Sequence, residues 1–186
     1  MIELSIIIPI YNCELFINRC VDSILVQIPL QVEIILVNDG SNDKSGEICD
    51  YYESTCSIVH VIHQANKGVS AARNAGLISA NGKYVWFVDA DDFIEPNSIQ
   101  LLLNILKEQS LDLLQFGNNI VFEDNSFKYL RRCKESKVLL PNDYLQGGYF
   151  NGTAWQSIFL KSIVESGTLL DEDVKLGQDG LFFVRI

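Results

Sequence analysis

Apolar residues along this chain fall into two rhythms. Short, nearly unbroken runs at Ser5–Ile10, Glu33–Val37, Ile58–Ile62 and Lys83–Val88 are strand-sized and rich in β-branched residues, the pattern of strands covered on both faces. After the first run, Ile17, Cys20, Val21, Ile24 and Leu25 recur at i, i+3, i+4, i+7 and i+8, which is one face of a helix. Asn12 is expected to cap that helix, with Glu14 in its first turn where the dipole favours negative charge. Asp43–Ser54 reads as a second helix. The alanine-rich stretch Gly68–Ala80 reads as a third, closed by the helix-ending pair Asn81-Gly82. Strands alternating with helices at this spacing predict an α/β fold with a mostly parallel sheet and helices on both faces. In such sheets a ligand sits outside the carboxyl ends of the strands.

Past Asp92 the rhythm loosens. Pro96 suits the first position of a helix whose Ile99, Leu102, Leu103 and Leu106 form one apolar stripe. Leu111–Phe116 and Ile120–Phe122 read as strands, and Phe127–Lys137 as a polar, basic loop or hairpin. Residues 1–93 are therefore expected to form one half of a single domain, and residues 94–186 a smaller α+β half. The last residues read as a helix cut short at Ile186, so a further C-terminal element is expected.

Composition narrows the functional classes. The chain has 186 residues, of which 48% are apolar and 20% charged, as in a globular protein that needs no staples. Its apolar runs fall far short of the roughly 20 residues that span a bilayer. The N-terminus lacks the basic and apolar regions of a signal peptide, and a cytoplasmic location is expected. Five cysteines without C-x-x-C pairs read as free thiols. A net charge of −10 argues against nucleic acid as a partner, and leaves a small anionic ligand plausible only where a cation meets it.

Three strands end in unusual polar residues on the same edge: Tyr11-Asn12, Asp39, and Asp89 to Asp92. Along a strand, i and i+2 point the same way, so Asp89 and Asp91 are expected to aim two carboxylates into one space. No basic residue lies within five positions of the three aspartates. Oxygen donors of this kind suit Mg²⁺ or Mn²⁺ shared with substrate phosphates, or else a solvated acidic turn. A carboxylate at Asp39 can accept the imide N–H of uracil but repels the ring acceptor of cytosine. Tyr11 offers an aromatic face to a base, or packs in the core. Arg73, among Ala71, Ala72, Ala75 and Gly76, needs an anionic partner: a diphosphate or one of the aspartates. His60 and His63, three apart on a strand, face opposite sides and read as structural.

These segments are familiar as a set. S-I-I-I-P-I-Y-N-C-E, E-I-I-L-V-N-D-G-S-N-D-K-S, N-K-G-V-S-A-A-R-N-A-G and Y-V-W-F-V-D-A-D-D together resemble the inverting glycosyltransferases of family 2, whose fold is GT-A, a Rossmann-like sheet. A-W-Q-S-I-F-L-K-S-I-V and G-Q-D-G-L-F-F-V-R resemble that family's acceptor-side segments. The resemblance implies that Pro9, Tyr11 and Glu14 line the nucleotide pocket and that Asp39 reads the base. It places Arg73, Asp89 and Ala90 at the nucleotide-sugar and Asp91 on a Mn²⁺ or Mg²⁺ that carries the diphosphate. Asp179 matches the general base that deprotonates the acceptor hydroxyl.

The implied activity moves a sugar, from a UDP-sugar, to a glycan or lipid-linked acceptor in bacterial cell-surface polysaccharide synthesis. Peripheral membrane association through C-terminal residues belongs to the same expectation. Gln178-Asp179 departs from the family's usual Glu-Asp, and a non-catalytic nucleotide-sugar-binding module or an inactive fragment is the alternative. A dinucleotide-dependent dehydrogenase would need G-x-G-x-x-G where this chain has P-I-Y-N-C-E.

Overall fold

The computed structural model describes residues 1–121, 127–131, 154–164, 169–170 and 172–173. In chain order its elements are β1 (Leu4–Ile10), α1 (Ile17–Leu25), β2 (Val32–Asp39), α2 (Ser45–Thr55), β3 (Val59–Gln64), α3 (Val69–Ser79) and β4 (Tyr84–Phe87). There follow α4 (Ser98–Gln109), β5 (Leu113–Gln115), β6 (Asn118–Val121), β7 (Phe127–Arg131) and β8 (Ser157–Leu160). The main sheet has the order β3-β2-β1-β4-β8-β5. Its first four strands are parallel, and β8 runs antiparallel to both β4 and β5. β6 and β7 make a separate antiparallel pair; Phe127–Arg131 of the expected basic loop or hairpin is a strand, and residues 132–137 lie outside the described residues.

The unbroken apolar runs follow from two buried faces. Even-numbered strand residues, among them Ile6, Ile8, Ile34, Leu36 and Trp86, pack with α1, α2 and α4. Odd-numbered ones, Ile7, Ile35, Val37, Val85 and Phe87, pack with Ala72, Leu77 and Ala80 around α3. Two polar residues on the odd face, Ser5 and Glu33, are buried as a satisfied set. Glu33 accepts from the Ser5 hydroxyl at 2.6 Å and from the Asn81 N–H at 2.6 Å, while Ser5 Oγ accepts the Gly82 N–H at 2.8 Å.

Two helix starts differ from expectation. α1 begins at Ile17, five residues beyond Asn12, which sits at φ 52°. The Asn12 side chain is taken by another loop: its Oδ1 accepts the Asn42 N–H at 2.8 Å. Glu14 likewise lies ahead of the helix, accepting the Lys44 N–H at 2.9 Å. α4 begins at Ser98, after Asn97 turns through φ 65°, so Pro96 precedes the helix instead of opening it.

α3 packs on the sheet through Gly76, which faces Ile7 and Val37. A Cβ built there would fall 2.3 Å from Ile7 Cγ2 and 3.3 Å from Val37 Cγ2. Helix propensity alone makes Gly76→Ala stabilising by nearly 1 kcal/mol. The contact predicts the opposite sign: overpacking should lower stability by about 1–3 kcal/mol, measured by urea unfolding.

Candidate functional site

The strand order reverses between β1 and β4. From β1 the chain winds outward through β2 to β3, then returns to place β4 on the other side of β1. Loops leaving the carboxyl ends of β1 and β4 therefore diverge, and the crevice between them is where open parallel sheets bind ligands. Tyr11 to Glu14, Asn38 to Ser41 and Asp89 to Asp92 all belong to that edge.

The loop after β1 is stitched to the loop after β2. Asn12 N–H donates to Ser41 Oγ (3.1 Å), Cys13 N–H to Ser45 Oγ (2.9 Å) and Glu14 N–H to Asp43 Oδ2 (3.0 Å), with Asn12 Oδ1 and Glu14 Oε2 accepting in return. Partial burial works to raise the Asp43 carboxyl, but hydrogen bonds from Ser45 and the Glu14 N–H outweigh it and hold it below its ordinary value. Tyr11 projects from this stitched frame at 46% exposure, which settles its side chain outside the core. Pro9 is half-buried in β1, in register with Val37.

Asp39 closes β2 at 3% exposure. Its Oδ1 accepts from Gln64 Nε2 (2.8 Å) and the Lys67 N–H (2.9 Å), and its Oδ2 from the Gly68 N–H (2.8 Å). A carboxylate has about four acceptor positions. Three are used, one by the end of β3 and two at the entry to α3, and one on Oδ2 stays open.

At the end of β4 the expected geometry is corrected. β4 stops at Phe87, and residues 89–92 form a tight turn in which the Asp92 N–H donates to the Asp89 carbonyl at 3.0 Å. The i, i+2 rule for strands thus does not govern Asp89 and Asp91. Asp89 turns to α3, where its Oδ1 meets Arg73 Nη2 at 2.8 Å, the arginine being only 4% exposed. A basic partner therefore exists, brought from sixteen residues upstream in sequence. Ala90 is buried in the core, which leaves only its backbone for a ligand.

Asp91 and Asp92 instead share a cleft of about 550 Å³. Its lining includes Phe93, Phe116, Trp155, Asn118 and Asn119, and also Arg19, whose guanidinium lies 3.8 Å from the centre of the Phe93 ring. Trp86, which also lines the cleft, meets Phe116 edge-on at 5.2 Å between centroids, and its Nε1 donates to the Trp155 backbone carbonyl at 2.9 Å. Sequence reasoning did not single out Phe116, Trp155 or the two asparagines, since they come together only when β8 inserts beside β4. Among the described residues no three His, Cys, Asp or Glu side chains converge as a ready metal cage. Two carboxylate groups suit Mg²⁺ or Mn²⁺ when phosphate oxygens complete the shell.

The next residue along α3 reaches elsewhere. Asn74 is 3% exposed; its Nδ2 donates to the Leu170 carbonyl and to Glu172 Oε1, both at 2.9 Å, while its Oδ1 accepts the Leu170 N–H at 2.9 Å. Asp179 lies outside the described residues.

Desolvation, followed by repulsion from Asp89 and Asp91, pushes the Asp92 carboxyl up to about 6. The folded state thus holds this proton more tightly than the unfolded chain, whose carboxyl titrates near 3.9. Ionised Asp92 costs stability, growing as pH rises from about 4 to 6 and constant above. Its side chain reaches solvent, so screening keeps the effect small. Asp92→Asn should melt higher than wild type at pH 7.5, with the gain vanishing near pH 4 in thermal scans.

Comparisons with known proteins agree with this geometry. The family model for glycosyl transferase family 2 matches residues 5–168. The uncharacterized glycosyltransferase EpsJ of Bacillus subtilis is 36% identical over 185 residues, covering 96% of this chain and 54% of that protein. Glycosyltransferase GlyA of Streptococcus pneumoniae is 33% identical over 180 residues, covering 97% of this chain and 25% of that protein. In structure, S. aureus TarS 1–349, solved in complex with UDP-GlcNAc, superposes with a TM-score of 0.84 at 24% identity, covering 99% of this chain and 53% of that one. That likeness speaks for the fold, which is GT-A. This chain spans about half the length of EpsJ. A parallel sheet with a crevice at its reversal point, acidic residues at the end of β4 and a family match over most of its length place the chain in glycosyl transferase family 2.

Proposed function

We propose that this chain forms the donor-binding part of a metal-dependent inverting glycosyltransferase. It moves a sugar from a UDP-sugar to a hydroxyl of a glycan or lipid-linked acceptor in the synthesis of cell-surface polysaccharide, working in the cytoplasm at the inner face of the membrane. The observation that carries the reading is the division among the β4 aspartates. Asp89 is neutralised by Arg73, while among the described residues neither Asp91 nor Asp92 has a basic partner. Two carboxylates without an ion-pair partner, in a cleft whose basic lining residue among those described, Arg19, is laid over the Phe93 ring, call for a cation that arrives with the ligand.

The sheet edge then divides into three stations. Tyr11 covers the base and the remaining Asp39 lone pair accepts its imide N–H, with Pro9 and Glu14 shaping the loop between them. Arg73 fixes Asp89 beside the diphosphate, and Asp91 supplies the metal ligand. A bound Mn²⁺ or Mg²⁺ would neutralise charge on the departing nucleotide diphosphate. Beyond Asp91 and Asp92, the rings of Phe116 and Trp155 and the amides of Asn118 and Asn119 suit the apolar faces and hydroxyls of a saccharide. Asp179, by its match to the family, takes the proton from the acceptor hydroxyl as that oxygen attacks the anomeric carbon, inverting its configuration.

Two measurements test this reading. UDP should bind much more tightly with Mn²⁺ than with EDTA in calorimetry, and Asp91→Asn should abolish the difference; equal affinity in both conditions refutes the metal role. In the full-length protein with its acceptor, Asp179→Asn should leave UDP affinity nearly unchanged while transfer falls by roughly 10²–10⁴-fold. If Asp179 only caps a helix, asparagine serves as well and transfer survives.

A further inference from the structure

The turn that carries Asp39 is held by a histidine whose protonation state the backbone dictates. The Ser41 N–H donates to Asn38 Oδ1 at 3.0 Å. A backbone N–H is always a donor, so the Asn38 amide can be oriented in only one way, with Nδ2 facing β3. There Nδ2 lies 2.9 Å from His63 Nδ1. Since Nδ2 donates, Nδ1 must accept and carries no hydrogen. His63 Nε2 lies 2.8 Å from Asp50 Oδ1, so the single imidazole hydrogen sits on Nε2 and points to α2.

The surroundings are built for this pair. Asn38 and His63 are opposite one another in the β2–β3 register, and Asn38 is 7% exposed. From α2 come Asp50, the charged group that faces the ring, and Gly46, where a Cβ would stand 3.0 Å from Asn38 Nδ2 and 3.9 Å from His63 Cε1. A side chain at position 46 would press on the amide. The Asp50 contact is largely in solvent, with side chains 47% and 64% exposed, and is weak by itself. The buried amide is the part that transmits.

We infer that His63, acting through Asn38, is a positioning residue for nucleotide binding, and that only its neutral Nε2–H form holds the Asn38–Ser41 turn in place. This rests on the donor-binding reading above. Imidazoles change charge between about pH 5 and 8. A proton on Nδ1 would set two donors face to face, and the Asn38 amide relieves them by rotating, which releases the Ser41 N–H. Ser41 Oγ in turn accepts the Asn12 N–H at 3.1 Å, one residue from Tyr11. Asp39 lies between Asn38 and Gly40 in the same turn. Protonation of His63 therefore loosens both sides of the base pocket together.

The test uses the full chain with UDP and Mn²⁺ as the probe. Long-range ¹⁵N correlation spectra at pH 8 should show His63 with Nε2 protonated and Nδ1 bare; the opposite tautomer overturns the network. In calorimetry, His63→Leu, which removes the acceptor, should weaken UDP binding at pH 8 by about three- to tenfold. His63→Asn keeps an acceptor oxygen near the Nδ1 position without a titrating ring, and should recover most of that loss. Between pH 8 and 5.5, wild type should lose about three- to tenfold more affinity than His63→Asn. Any pH effect at the Asp91–Asp92 turn is common to both proteins and cancels in the comparison. UDP binding by wild type, with both variants matching it at both pH values, overturns the positioning role alone. No UDP binding by wild type overturns the donor reading and this inference with it.

Discussion

The end of β4 takes its form from one buried cation. Arg73 sits on a helix of small residues pressed close to the sheet, and a guanidinium in such a place costs several kcal/mol unless it is paired. Asp89 supplies the pair at 2.8 Å. Once that carboxylate is committed to α3, the tight turn after it leaves Asp91 and Asp92 in the neighbouring cleft. Their mutual repulsion is eased by protons, salt or a ligand-borne cation, with Arg19 in the same cleft held on the Phe93 ring. The burial of Arg73 and the acidity of the cleft are thus two sides of one arrangement.

Rigidity on the other side of the crevice comes from hydrogen bonds between loops instead of from a buried charge. Asn12, Ser41, Asp43 and Ser45 each serve a backbone group across or within the junction of the first two βα loops. Asp39 does the same for the entry to α3. Polar residues there satisfy a backbone that has left the sheet and would otherwise face a binding crevice with open donors. Preorganisation of this kind reduces the ordering cost that a ligand must offset.

Much of the fold was legible because the strands are buried on both faces: a run such as Ile6-Ile-Ile8 has no partially exposed alternative. Family 2 membership was legible from four segments in order. Local rules failed where distant residues competed for the same side chain. Asn12 has the composition of a helix cap, yet the Asn42 N–H, thirty positions on, claims its oxygen and the helix starts later. The aspartates were read as if β4 continued, whereas it ends at Phe87 and turn geometry replaces strand alternation. Arg73 was legible as needing an anion, but nothing in a one-dimensional pattern says which, because its partner is one helix and one strand away. Trp155 lay inside a segment read as acceptor-side but was not singled out, and Phe116 gave no signal, since their approach depends on β8 entering the sheet antiparallel to β4.

Arg73 and Asn74 are consecutive on α3, and they grip different parts of the molecule: the turn after β4 and the segment at Leu170 and Glu172. Asn74 holds Leu170 by both its N–H and its carbonyl, as a neighbouring strand would. The spacing between these two parts is therefore set by a single helical step, a rise of about 1.5 Å, and not by the roughly eighty residues of chain that separate them in sequence. Both grips thus share one rigid body, and any tilt or slide of α3 against the sheet carries the turn after β4 and the Leu170 segment with it.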